Sequence, residues 1–479
     1  MLPVEIDAAL RAVLGPGAMV TDAAAMVPHL TDWRRTKTGH ADVLLRPSSH
    51  AEVAAIVQVA RAFGLALVPQ GGNTGLVGGG VPEPDCGRPT AIVSLRRMAR
   101  IISVDAAGLS MVVEAGAILA DVHAAAEAAG VRFPLSLGAK GSATIGGLLS
   151  TNAGGTQVLR HGTMRGLVLG LRAVLPDGAT LDQLGPLRKD NSGYDVKQLL
   201  IGGEGTLGIV TTVALRLAPL MRVRTVGWAG AADADHALAL LARLRTGLGE
   251  QVESFELIDS ETLAMVERHI AGVRRPLAGR HGCHMLLEAE APAEALEALL
   301  AAALEAGEIE DATLAASEAQ ANQLWKLRED VPEAERLDGP AVKNDVSIPV
   351  ADLPRFIDAV RDALAEHHPG AQPLIFGHLG DGNLHLNIRP PTGVADGRQW
   401  CRVEGEAARR LLHDIIHRFG GSISAEHGIG TLKAAELERL GDGGKLAAMR
   451  AVKQALDPAN IMNPGKLGGP ILASAVPAR

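Results

Sequence analysis

Two segments near the C-terminal end of the chain, GHLGDGNLHLN (377–387) and SAEHGIG (424–430), gather three His and one Glu among Gly, Ser and Ala. His378 and His385 stand seven positions apart, and Glu426 directly precedes His427. Two imidazoles and a carboxylate suit a divalent metal, and a further imidazole is then left to move protons. The alternative is that these are ordinary polar residues of Gly-rich turns, in a chain that carries 16 His. The pairing of two such segments, both lined by residues too small to obstruct a site, favours a substrate-activating centre. A second cluster, His281, Cys283 and His284, opens the alternating run HMLLEAEA and reads as part of a strand. Packing is the expected role there. Asp381, set between glycines, is expected to form a turn, and Tyr194, the only Tyr, to support the packing of its domain.

Such a centre needs a scaffold. At 479 residues the chain exceeds one ordinary core, so two or three domains are expected. Over the first 220 residues short apolar strands alternate with amphipathic helices. The strand DVLLRP (42–47) is followed by a capping-box pattern at Ser49 and Glu52, a helix closed by Gly64, and a second strand LALVPQ that runs into GGNTGLVGGGVP. From about 223 to 371 long Ala/Leu/Glu helices replace the glycines, and from about 421 the Gly-rich texture returns. The expected domains are therefore 1–220, 221–420 and a C-terminal segment 421–479.

Three Gly-rich loops lie within the first domain: 70–80, 136–155 and the run from 201. Glycines allow backbone N–H groups to approach phosphate oxygens, so three loops point to a large, elongated cofactor. Gly203, Gly205 and Gly208 fit G-x-G-x-x-G, yet IVTTVALRLAP follows and reads as a strand, where a dinucleotide fold requires a helix. A nicotinamide site is not expected.

A net charge of −8 argues against a nucleic-acid partner, and no apolar run approaches the roughly 18 residues of a bilayer span. The N-terminus lacks the basic region of a secretory signal, and three scattered Cys (86, 283, 401) fit reduced thiols in the cytoplasm.

Six segments in this order, PQGGNTGLVGG, LGAKGSATIGGLLSTNAGG, RKDNSGYDVKQLLIGGEGTLGIVT, GHLGDGNLHLN, SAEHGIG and LDPANIMNPGK, resemble the FAD-linked 2-hydroxyacid dehydrogenases of the vanillyl-alcohol-oxidase flavoprotein superfamily, over about 43–466. The resemblance implies an α+β fold: a PCMH-type FAD-binding domain, a cap domain with an antiparallel sheet, and a C-terminal helical segment returning to the flavin. It implies cofactor contacts from Pro69, Gly71, Gly72, Asn73, Thr74, Gly75, Gly78 and Gly79 around the pyrophosphate, with Asn73 and Thr74 adding side-chain donors. Pro134, Leu137, Gly138, Gly141, Ser142, Gly146, Gly147, Asn152, Gly154 and Gly155 would follow the ring and ribityl chain. Glu204, Gly208, Ile209, Val210 and Asn463 would complete the site. The first loop has no His, so the FAD is expected to be non-covalent.

The resemblance further implies oxidation of a D-2-hydroxyacid, with hydride passing from C2 to flavin N5. His378, His385 and Glu426 would hold a divalent metal, zinc in the first instance, with manganese or cobalt also suited. His427 would take the hydroxyl proton, and Arg328, Lys343 and Asn387 would bind the substrate. A second cation at Lys343 favours a dicarboxylate, with D-2-hydroxyglutarate ahead of D-malate. Pro332 stands where the family carries a hydroxyl-bearing Thr, which leaves D-lactate and glycolate open. A non-catalytic flavin-binding subunit and a hydrolytic metalloenzyme are the readings from other classes. The expected electron acceptor is an electron-transfer flavoprotein or a quinone, and the expected assembly is a homodimer.

Overall fold

The computed structural model describes residues 2–467, so the end of the expected C-terminal segment, 468–479, lies outside the described residues. The chain divides into two units. Of the described residues, the first comprises 2–153, 162–220 and 426–467, and the second comprises 154–161 and 221–425. The short insert 154–161 falls inside the stretch expected to be purely the first domain.

In the first unit, the strands Val43–Leu45 and Ala66–Gln70 both run parallel to Thr90–Ser94 between them, and Met19–Val20 adds an antiparallel edge. The helix His50–Phe63 connects the outer two. Ser49 accepts the Glu52 amide, and Gly64, at φ +68°, closes the helix in the left-handed region that glycine tolerates. The Glu52 carboxylate turns back to the Ser48 amide at 2.6 Å, one residue short of a reciprocal capping box. Val53, Ile56, Val57 and Ala60, spaced for one helical face, are buried against this sheet.

A five-stranded antiparallel sheet follows, in the order Ile101–Asp105, Ser110–Glu114, Ile209–Arg216, Val168–Val174, Thr180–Gln183. Its central strand, Ile209–Arg216, is the one that succeeds the G-x-G-x-x-G run, so no helix N-terminus stands there to receive a pyrophosphate. The C-terminal segment pairs back onto the first sheet: Leu67 donates to Ile461 O at 2.8 Å, and Asn463 to Leu67 O at 2.7 Å. Buried Lys453 fixes this return through Asp457 (2.6 Å), Thr206 O (2.8 Å) and Met462 O (3.0 Å). Tyr194 corrects an expectation. It is 96% exposed and packs in no core, because its segment, rich in Asp, Asn and Ser, is itself at the surface.

The second unit is built on a seven-stranded antiparallel sheet in the order Asp311–Leu314, Thr225–Ala231, Cys283–Ala289, Val252–Asp259, Gln372–Gly377, Asn383–Arg389, Asp345–Ser347. The helices Ser260–His269 and Glu318–Glu329 bury Leu263, Met265, Val266, Leu324 and Leu327 around Trp228 and Phe376. The His281–His284 stretch takes the packing role expected of it. Trp228 Nε1 donates to His284 Nδ1 at 3.3 Å, and burial lowers the His284 pKa to about 4. Burial also raises the Cys283 thiol to about 12, leaving it a protonated core residue.

Candidate active site

In the first unit the Gly-rich loops meet backbone to backbone. A Cβ on Gly71 would stand 2.1 Å from Thr144 Oγ1, and one on Gly72 would stand 2.0 Å from Ser142 O. No side chain fits at either position. Among the described residues, no main-chain amide from Gly72 to Gly80 donates a hydrogen bond within the protein. With Asn73 at φ +56° and Gly78 at φ +73°, the run has the left-handed turns and unused amides that a pyrophosphate cradle requires. The loop therefore fits FAD through its backbone. The Asn73 side chain differs from expectation: its amide donates to Pro28 O at 3.1 Å and Thr31 O at 2.9 Å, so it braces the loop.

Other expected cofactor residues divide by role. Gly138 and Gly141 have open space where a Cβ would stand, whereas Gly146 lies against Ala115 and serves the packing of the helix Ile145–Thr151. Gly147 supplies the amide that Thr144 caps, and Asn152 ends that helix at φ +50°, its side chain accepting the Arg165 amide at 2.9 Å. Gly154 and Gly155 fall in the insert belonging to the second unit. Pro69 lies in the strand Ala66–Gln70 beside Gly205, while Ile209 and Val210, following Gly208 at φ +153°, are buried in the strand that they open.

Glu204 has an unexpected function. Its carboxylate accepts the Ile429 amide at 2.8 Å and the Gly430 amide at 2.7 Å. Burial raises its pKa, opposed by those two amides. Asn463 Nδ2 donates to Glu204 O at 2.7 Å and Gly79 O at 2.9 Å. Glu204 thus clamps the turn after His427, and Asn463 ties the clamp to the phosphate loop. Glu426 and His427 stand at the head of that clamped turn, both partly exposed, with His427 Nε2 3.9 Å from Glu426 Oε1.

The second unit carries the remaining candidates on neighbouring strands. Along Asn383–Arg389 the sequence NLHLNIR alternates, so Asn383, His385 and Asn387 share one face while Leu384, Leu386 and Ile388 point into the core. His385 pairs in register with Phe376 on one side and Asp345 on the other. His378 follows directly from Gln372–Gly377, and its ring meets that of His385 edge-on with centroids 5.8 Å apart. His378 Nδ1 lies 2.5 Å from Glu256 Oε1, and Arg328 Nε donates to Glu256 Oε2 at 2.8 Å. The Arg328 guanidinium stands 5.0 Å from the centre of the Phe376 ring. Burial opposes the charge on Glu256, yet His378 and Arg328 outweigh it and bring the carboxyl to about 2.

The donor set fits a metal. A ligating imidazole normally gives its other ring nitrogen to a carboxylate, and His378 Nδ1 stands in that relation to Glu256. Asp345 Oδ1 lies 3.9 Å from His385 Nδ1 and accepts Asn383 Nδ2 at 2.9 Å. Asp381 takes the turn expected of it, accepting the Asn383 amide at 3.1 Å.

Lys343 and Asn387 form a separate group. Both meet the buried carboxylate of Glu335, Lys343 through an ion pair and Asn387 through Nδ2 at 3.1 Å, while Asn387 Oδ1 accepts the Asn344 amide at 2.9 Å. Glu335 Oε1 is buried without a hydrogen-bond partner. Glu256, Asp345 and Glu335 are the residues that sequence reasoning missed. Nothing in the local sequence sets these acids apart from their neighbours, and only tertiary contacts give them partners.

The model for "FAD binding domain" matches residues 41–183, and that for "FAD linked oxidases, C-terminal domain" matches residues 220–467. D-2-hydroxyglutarate dehydrogenases from Bos taurus and Arabidopsis thaliana, both labelled mitochondrial, are 39% and 37% identical to the chain. The alignments cover 96% and 95% of it and 82% and 80% of those proteins. The D-2-hydroxyglutarate dehydrogenase of Xanthomonas citri pv. viticola is 38% identical, with 93% of both chains covered. Among solved structures, p-cresol methylhydroxylase superposes with a TM-score of 0.76 at 15% identity, covering 97% of this chain and 96% of the other. That likeness shows the α+β PCMH fold. The chain belongs to the FAD-linked D-2-hydroxyacid dehydrogenases of the vanillyl-alcohol-oxidase superfamily, and is an FAD-dependent oxidoreductase acting on a hydroxyacid.

Proposed function

We propose that the protein oxidises D-2-hydroxyglutarate to 2-oxoglutarate. The observation that carries this reading is the buried Arg328–Glu256–His378 chain, which sets a fixed cation beside a His poised as a ligand. FAD, when bound, supplies the hydride acceptor, and a divalent metal on His378, His385 and Glu426 supplies a Lewis acid for the substrate hydroxyl. Arg328 offers its remaining N–H groups to the substrate C1 carboxylate, and Lys343 and Asn387 receive the distal end. His427 would take the C2 hydroxyl proton, and with a bound flavin accepting the hydride from C2 the alcohol would become a ketone. The acceptor would be an electron-transfer flavoprotein or a quinone, and a cytoplasmic setting would suit the free thiols Cys86, Cys283 and Cys401.

The purified protein should be yellow, and its flavin should bleach anaerobically with D- but not L-2-hydroxyglutarate. A colourless preparation that takes up no FAD, or a flavin untouched by any D-2-hydroxyacid, would end this reading. A second reading, preference for a monocarboxylate such as D-lactate, draws on Glu335 balancing the Lys343 charge and on Pro332, which has no side-chain donor. The ratio of kcat/KM for D-lactate to that for D-2-hydroxyglutarate decides between them.

A further inference from the structure

Glu256 holds together two groups that the reaction needs separately. It is fully buried on the strand Val252–Asp259, between Phe255 and Leu257. Its two oxygens are divided: Oε1 faces His378 Nδ1 at 2.5 Å and Oε2 accepts from Arg328 Nε at 2.8 Å. A buried carboxylate survives only with such compensation, so neither partner can turn away without leaving an unpaired charge. An imidazole whose Nδ1–H is held by a carboxylate is fixed in one tautomer, with the Nε2 lone pair directed away from that carboxylate. A guanidinium held by Nε alone keeps the N–H pair of its far edge for another planar acceptor.

We propose that Glu256 is the positioning residue that sets the His378 tautomer and the Arg328 orientation at once, coupling metal affinity to carboxylate binding. The proposal rests on the assignment of His378 as a ligand and Arg328 as an anchor. It goes further in making the two interdependent through one acid that touches neither metal nor substrate.

Glu256→Gln tests it in the full-length flavoprotein. A carboxamide accepts through one atom only, so it cannot serve both N–H donors. Zinc affinity, measured by competition with a chromophoric chelator, should fall roughly 10- to 100-fold, the usual effect of losing a carboxylate behind a ligating His. KM for D-2-hydroxyglutarate should rise along with it, while flavin content and absorbance stay as in the parent. A purely structural role would lower thermal stability and leave zinc affinity and KM unchanged, and that result overturns the proposal. If Glu256→Gln does not accumulate, Glu256→Asp carries the same measurements. It keeps the charge but shortens the reach, and unchanged zinc affinity and KM would again be decisive against. His378→Ala separates this from the underlying assignment. Retained zinc in that variant removes His378 as a ligand, whereas zinc lost there but unchanged in Glu256→Gln defeats only the coupling.

Discussion

At the scale of single residues, the chemistry turns on how buried charges are compensated. Arg328 uses Nε for Glu256 and lies over Phe376, so its guanidinium plane is fixed by the protein itself. A lysine ammonium is a point charge and cannot hold Glu256 while presenting a fork. Arg328→Lys should therefore raise KM for D-2-hydroxyglutarate roughly 10- to 100-fold, equivalent to about 1.4–2.8 kcal/mol, with a smaller change in kcat. Steady-state kinetics with unchanged KM would contradict the anchoring role. Asp259 makes a different prediction. Burial raises its pKa to about 6 from 3.8, against its hydrogen bonds to Thr262. The folded state thus binds this proton more tightly than the unfolded state. Above pH 6 the carboxylate is ionised in both states and its burial weighs on the fold, and stability is regained as pH falls from about 6 towards 3.8. Asp259→Asn keeps an oxygen for the Thr262 amide, bonded at 2.8 Å, and lacks the titration. Measured by thermal unfolding, the wild-type midpoint should gain on that of Asp259→Asn between pH 7 and 4.5. A constant difference would refute this.

At the scale of elements, the phosphate loop and the 142–144 loop act as one unit because their backbones touch. Gly72→Ala would drive a Cβ to 2.0 Å from Ser142 O, a separation that the loops can relieve only by parting. The variant should purify with little FAD, read from the ratio of flavin to protein absorbance, and full occupancy would show that the cradle lies elsewhere. This scale also decides what could be read in advance. The helix His50–Phe63 and the strand Ile209–Arg216 were legible because capping residues, a closing Gly and β-branched runs are local signals. The His pair was legible for the same reason, its spacing lying within one hairpin. Glu256 was not, because it meets His378 across 122 positions of sequence, and only the antiparallel pairing of Val252–Asp259 with Gln372–Gly377 brings them together. Asn73 and Glu204 were found as loop residues, but their partners, Pro28 and Thr31 in one case and Ile429 and Gly430 in the other, come from distant segments. Tyr194 was misjudged because composition says nothing about which rare aromatic is buried.

At the scale of the whole molecule, the chain passes between two units that each have their own core. The cores around Ile56, Leu67 and Ile92 and around Leu149, Leu171 and Val213 belong to the first, and the core around Trp228, Leu263 and Phe376 to the second. The backbone cradle for FAD lies in the first unit, and the His378–Glu256–Arg328 chain lies in the second. Independent cores imply that damage to one binding region need not unfold the other. Two single variants of the full chain should therefore dissociate the two cofactors. Gly72→Ala should lose flavin, whereas His378→Ala should retain flavin and lose zinc, and both should be inactive. Flavin absorbance and metal analysis on the same samples give the four values. Loss of flavin together with zinc in His378→Ala would refute this separation.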